Sequence, residues 1–247
     1  MKGGDRDKAT LDIVGEVKDA QGIVVGNVRQ TVKLAVYAAA DVQRKNIQYS
    51  TGFTLAPGRY HLKFVVRENQ TGNMGSFETD IQVPDLKKAP LKMSSVVIAS
   101  QRTPDTDKHA TSPLVRDGLE WVPNVAHVFR QNQHLYFLYE VYDPAKQKDV
   151  KGEPIKVLTN VEFVTNGTKV FETPLSTSTT VNDAEHDGVV FQLDVPLSQL
   201  KPGTYICQVN VIDDAGGSFM FPRLALKVMA PPAAAPVVAP VAGSAAR

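Results

Sequence analysis

One segment occurs twice in this chain, and a repeat of this kind limits the possible folds more tightly than composition does. The second copy reads Leu200-Lys-Pro-Gly-Thr-Tyr-Ile-Cys-Gln-Val-Asn-Val-Ile-Asp213, followed by Asp-Ala-Gly-Gly-Ser-Phe219. The first reads Leu55-Ala-Pro-Gly-Arg-Tyr-His-Leu-Lys-Phe-Val-Val-Arg-Glu68, with Gly75-Ser-Phe77 after a short insertion. Pro57-Gly58 and Pro202-Gly203 mark tight turns: proline presets φ at one corner, and glycine supplies the positive φ the next corner often requires. Beyond each turn the side chains alternate. Tyr60, Leu62, Phe64 and Val66 share one face; Tyr205, Cys207, Val209 and Val211 share the same face of the second copy, with Gln208 and Asn210 opposite. A period of two with polar residues on one side predicts a strand that covers a core on one face only.

A tyrosine just after a tight turn matches the tyrosine corner of immunoglobulin-type sandwiches, in which the ring is buried and the hydroxyl bonds backbone across a connection. An ordinary buried aromatic is the alternative. The 247 residues suit two sandwiches of about 100 residues each. The sequence therefore predicts an all-β chain: two tandem immunoglobulin- or fibronectin-III-like sandwiches at 1–90 and 91–229, and a disordered Ala/Pro-rich tail at 230–247. Pro84 to Pro90 reads as the proline-bounded linker. Asp19-Ala-Gln-Gly22 and Asn166-Gly167 read as hairpin turns, the latter of type I′ with Phe163 opposite Val170. A polar loop is expected from Gln101 to Ser112.

Leu135-Tyr-Phe-Leu-Tyr-Glu-Val-Tyr-Asp143 parallels Leu11-Asp-Ile-Val-Gly-Glu-Val-Lys-Asp19, which supports duplication. On that alignment the apolar Leu91–Ala99 segment has no counterpart before Leu11. The first sandwich then lacks its opening strand, and its edge is open to strand addition.

Chemical signals are sparse. The formal net charge of +1 gives no reason to expect nucleic acid as a partner. Cys207 is the only cysteine, which excludes an intrachain disulfide and a cysteine metal cluster. Leu62 stands at its place in the other copy, so Cys207 reads as a small buried hydrophobe. Met1–Lys8 holds no apolar signal peptide, and no segment is long enough to span a bilayer as a helix. Nucleotide, phosphate-loop, zinc-protease and nucleophile-elbow motifs are all missing. His61, His109, His127, His134 and His186 are scattered, with no metal-ligand spacing. Asp213-Asp214 and the acids Asp183, Glu185 and Asp187 could be imagined as calcium ligands, but Asp213-Asp214-Ala-Gly-Gly also reads as a turn. Asn69-Gln-Thr71 and Asn166-Gly-Thr168 match the glycosylation sequon in expected turns. Trp121 is expected to pack in a core. With Tyr136 and Tyr142 it is also the only candidate for an aromatic ligand platform.

Several segments together resemble the C-terminal region of acidobacterial-type von Willebrand factor A-related proteins. They are Arg67-Glu-Asn-Gln-Thr-Gly72, Gly75-Ser-Phe-Glu-Thr-Asp80, Pro90-Leu-Lys-Met-Ser-Ser-Val-Val97, Tyr139-Glu-Val-Tyr-Asp143 and the second repeat through Asp214. The resemblance covers nearly all of the chain before the tail. It implies an extracytoplasmic (secreted or cell-surface) molecule in which a metal-binding von Willebrand domain precedes this region. That domain's Asp-x-Ser-x-Ser motif is absent here, so no metal-site residue carries over. The expected function is a non-catalytic interaction or spacer region with protein partners, no cofactor, no structural metal and no enzymatic activity. A carbohydrate-binding module is the alternative.

Overall fold

The computed structural model describes residues 7–36, 49–105, 112–147 and 154–231. Outside them lie the chain start, the Asp107–Ala110 part of the expected polar loop with His109, and the tail from residue 232. The described residues are strands and turns, with one 3-10 turn at Leu197–Gln199. The chain divides into two compact units, Met1–Lys88 and Ala89–Arg247.

The described strands of the first unit are β1 (Asp7–Asp19), β2 (Val24–Val36), β3 (Gly58–Glu68) and β4 (Met74–Val83). They form one antiparallel sheet in the order β2-β1-β3-β4. The hairpin at its start is locked by Asp19, whose side chain accepts the amides of Gln21 (3.0 Å) and Ile23 (2.8 Å), and by Gly22 at φ +80°. Alternation gives this sheet an apolar face of Leu11, Ile13, Val17, Leu62, Phe64, Val66 and Phe77, with charged residues such as Lys63, Glu78 and Asp80 on the other. Of the apolar set only Ile13 and Val17 are buried, and Phe77 is 62% exposed. Segment 49–57 crosses part of the face: Phe53 stands against Gly26, where an added Cβ would meet its ring at 3.0 Å.

The second unit is a sandwich. One sheet holds β5 (Lys92–Met93), β6 (Val97–Pro104), β7 (Val115–Arg116), β8 (Leu119–Pro123), β10 (His134–Tyr142) and β14 (Gly188–Pro196). The other holds β9 (Val128–Arg130), β11 (Val157–Thr165), β12 (Thr168–Glu172), β13 (Ser176–Ser178), β15 (Gly203–Asp213), β16 (Ser218–Met220) and β17 (Arg223–Met229). Between them lies one continuous core in which Leu135, Phe137, Tyr139 and Val141 of β10 face Val157, Val161 and Phe163 of β11 and Cys207, Val209 and Val211 of β15. Phe137 meets Phe163 edge-on across it, with ring centres 6.4 Å apart. Tyr139 and Thr159 share a 2.5 Å hydrogen bond between the sheets, and Thr159 donates onward to the Asn210 carbonyl at 2.7 Å. Each buried hydroxyl therefore has a partner, without which burial would cost more than the packing returns.

The two units share a plan, though not the one the Glu-Val-x-Asp likeness suggests. In the second unit the corner strand β15 pairs with β11, placing Val157 opposite Asp213 and Phe163 opposite Cys207. In the first unit β3 pairs with β1 in the matching register, Leu11 opposite Glu68 and Val17 opposite Leu62. On the other flank Tyr60 faces Ile81 as Tyr205 faces Leu226. The Leu11 strand thus corresponds to the Val157 strand, and β2-β1-β3-β4 to β12-β11-β15-β17. The Leu135 strand belongs to the opposite sheet of the sandwich. The described residues of the first unit therefore supply the counterpart of one sheet only.

Local departures from the sequence reading have physical causes. Asn166 and Gly167 take positive φ (+49° and +75°), as a type I′ turn requires. A bulge between Phe163 and Val164 then pairs Phe163 with Phe171, not Val170, and Val170 is left half exposed. Neither Gly58 nor Gly203 has positive φ. Their lack of a side chain instead makes room for the tyrosine two residues on: an added Cβ would stand 3.4 Å from the Tyr60 hydroxyl and 3.7 Å from the Tyr205 ring. The expected polar loop begins later than Gln101, because Gln101–Pro104 pair with β8.

Candidate functional site

Both tyrosine corners are present. Tyr205 donates to the Lys201 carbonyl at 2.6 Å and Tyr60 to the Ala56 carbonyl at 2.7 Å. Tyr205 is 5% exposed, whereas Tyr60 is only half-buried, because the face it lies on is incompletely covered. Cys207 is fully buried, and burial pushes its thiol well above the usual range.

The residues that sequence reading offered as ligands mostly hold turns. Asp213 is buried and accepts the amides of Ala145 (2.8 Å) and Gly216 (3.1 Å). Asp214 pairs with Lys156 at 2.7 Å. Glu68, at the place of Asp213 in the first unit, accepts the amides of Gln70 (2.8 Å) and Thr71 (2.6 Å) and also the Thr71 hydroxyl. That hydroxyl first, then the two amides, holds its carboxyl below the ordinary glutamate range. Asn69 and Asn166 of the two sequons both lie in connections between paired strands. The aromatic candidates do not form a row of bare rings. Trp121 is 1% exposed, in a small cluster with Ala99 and Leu138 on the outer side of the β10 sheet. The Arg102 guanidinium lies 4.0 Å from the Tyr136 ring centre and 5.4 Å from that of Trp121. Tyr142 packs edge-on against His186 at 6.0 Å.

His61 points outward, as its alternation predicts, 2.8 Å from Asp80 and 3.5 Å from Glu78 through different ring nitrogens. His134 pairs with Asp194 at 2.6 Å, and His127 Nδ1 lies 2.9 Å from the Ala225 carbonyl.

One constellation was not visible in the sequence. Glu140 of β10 and Asp183 and His186 of the loop before β14 bring three metal-capable atoms within 4.8 Å of one another. β10 and β14 are neighbours, with Tyr142 opposite Gly188, which sets the loop beside Glu140. The loop is tied at its neck by paired backbone bonds between Asp183 and Gly188 (2.9 and 3.1 Å). Asn182 adds two side-chain bonds to the Val190 backbone (2.7 and 3.0 Å). At Gly188 an added Cβ would stand 2.7 Å from Glu140 Oε1, so glycine leaves the space the carboxylate fills.

His186 Nδ1 lies 3.1 Å from Asp183 Oδ2 and 3.4 Å from Glu140 Oε1. Glu140 is unusual for a charged residue in that its side chain is only 7% exposed, and its Oε1 accepts no hydrogen bond. Desolvation first, then the facing Asp183 carboxylate, raises the Glu140 carboxyl, against the pull of His186 and Arg116. Desolvation also acts to raise Asp183, but the contact with His186, the neighbouring Glu140 and the hydrogen bond from the Glu185 amide outweigh it and lower that carboxyl. The Asp183 contact, ahead of the surrounding carboxylates, raises His186. Of these residues only Asp183 and His186 stood among the candidates read from sequence, and never as partners. The one available signal was a glutamate on a strand whose neighbours are all apolar or aromatic.

No family model and no curated protein matches the chain. Among solved structures it is similar to the fibronectin(III)-like modules of Clostridium thermocellum CbhA, at 12% identity and a TM-score of 0.23, over 93% of this chain and 82% of that one. The β-sandwich architecture rests on the sheets and core described above. Among the described residues no helix is long and apolar enough to cross a membrane.

Proposed function

We propose that this chain is a non-catalytic interaction or spacer region of an extracytoplasmic protein, with a closed second sandwich and a first unit that receives a partner polypeptide. The observation that carries this reading is the half-covered apolar face of the first sheet. Leu62, Phe64 and Val66 are only part-buried there, while their counterparts Cys207, Val209 and Val211 are all fully buried beneath an opposing sheet. Strands β2 and β4 are the edges of the first sheet among the described residues, and Met74 and Phe77 on β4 are more than half exposed. A partner strand could extend such an edge through backbone bonds, and a partner sheet could close such a face through apolar burial. Asp213 and Glu68 hold turns and Trp121 is packed out of reach of solvent, which agrees with a binding role for this chain. The extracytoplasmic setting and the relation to von Willebrand factor A-related proteins rest on the resemblance noted from sequence.

Hydrogen exchange on the isolated chain tests the reading. Amides of Leu62–Val66 and Cys207–Val211 both sit in strands paired on two sides, so ladder position does not distinguish them. The expected result is faster exchange at Leu62–Val66, because less apolar burial opposes opening. Equal protection in a monomer would mean that the first face is covered, and the reading would fall.

A further inference from the structure

We propose that Glu140, Asp183 and His186 form a binding site for a divalent transition-series cation with mixed nitrogen and oxygen preference, zinc being the natural probe. Geometry supports the assignment first. Ligand atoms about 2.0–2.1 Å from a tetrahedral ion lie roughly 3.3 Å apart. His186 Nδ1 stands 3.1 Å from Asp183 Oδ2 and 3.4 Å from Glu140 Oε1, close to that spacing, and all three ligand atoms lie within 4.8 Å of one another.

The second support is the division of labour within each carboxylate. Asp183 Oδ1 accepts the Glu185 amide at 3.1 Å, which leaves Oδ2 toward the cluster. Glu140 Oε2 lies 3.7 Å from the Arg116 guanidinium, which leaves Oε1 toward the same point. That Oε1 is buried and accepts no hydrogen bond, its cationic neighbour being the His186 ring at 3.4 Å, and a carboxylate oxygen so placed gains from a cation that meets it directly.

The donor set decides the class of ion. Calcium asks for six or more oxygens, whereas one imidazole and two carboxylates with room for solvent suit zinc and its neighbours. His186 is 48% exposed, so the site opens to solvent on the loop side. An ion there would tie the loop before β14 to the C-terminal part of β10 and so stiffen the outer side of the sandwich.

The test is zinc binding to the chelator-treated full chain at neutral pH, by calorimetry and equilibrium dialysis, with calcium as comparison. One equivalent of zinc should bind in preference to calcium and raise the unfolding midpoint, since a ligand of the native state stabilises it. His186→Ala, a change in an exposed loop that leaves the core intact, should weaken binding at least about tenfold. Asp183→Asn should weaken it as well. His61→Ala, which removes the other histidine set between two acids, should leave binding unchanged. Failure of the wild-type chain to bind zinc would overturn the proposal. So would a preference for calcium, or loss of binding in His61→Ala with retention in His186→Ala.

Discussion

Replacing Tyr205 by phenylalanine isolates the corner hydrogen bond from the packing around it. The ring is 5% exposed and its hydroxyl donates at 2.6 Å to the Lys201 carbonyl. A neutral bond of this kind contributes about 1 kcal/mol net, and because Lys201 lies at the surface, water can partly replace the lost donor. Tyr205→Ala also removes the ring from the core and should cost about 3–5 kcal/mol. Trp121 is the only tryptophan and is buried in the same unit, so its emission reports unfolding of the second sandwich. With a urea slope of about 1–3 kcal/mol per molar, the phenylalanine variant should unfold roughly 0.3–1 M earlier than wild type. An unchanged midpoint and slope would show that the corner bond contributes nothing to stability. A shift in Tyr205→Ala no larger than in Tyr205→Phe would refute the packing claim as well.

Three further outcomes are expected. Cys207 should resist thiol reagents in the native chain and react only as the second unit unfolds, because burial disfavours its thiolate; reaction at the rate of a free thiol would contradict its burial. Asp213→Ala should destabilise the second unit by about 1–3 kcal/mol in thermal unfolding, since the Ala145 and Gly216 amides lose their acceptor. Glu68 has its carboxyl pKa lowered in the folded state, so its contribution is present above the ordinary glutamate value of about 4.3 and is lost as pH falls through the lower folded value. The Gln70 and Thr71 amide resonances, followed by NMR, should therefore titrate below that ordinary value; titration at or above it would mean the turn bonds do not hold the carboxylate.

Alternation and turn chemistry are local properties, and the sequence alone determined what they govern. Residue-by-residue alternation placed Tyr205, Cys207, Val209 and Val211 on one buried face, and the same pattern put His61 on the solvent side. Asn166-Gly167 required positive φ at both positions and so determined a type I′ hairpin. The repeated Pro-Gly-x-Tyr pointed to a tyrosine corner in each copy, with an ordinary buried aromatic as the alternative, and the structure bonds each hydroxyl to the carbonyl four residues back.

Only the tertiary structure decided which strands are neighbours. Glu-Val-x-Asp recurs in the Leu11 and Leu135 strands, but sheet membership depends on burial across a whole sandwich, and that paired the Leu11 strand's plan with Val157 instead. The bulge after Phe163 is likewise a compromise between pairing and packing that no local rule fixes. Asp183 and His186 meet within one loop, but Glu140 lies far from them along the chain and joins them only because β10 and β14 pair with Tyr142 opposite Gly188. Convergence of this kind is a property of register, and register is set by the burial of side chains far apart in sequence.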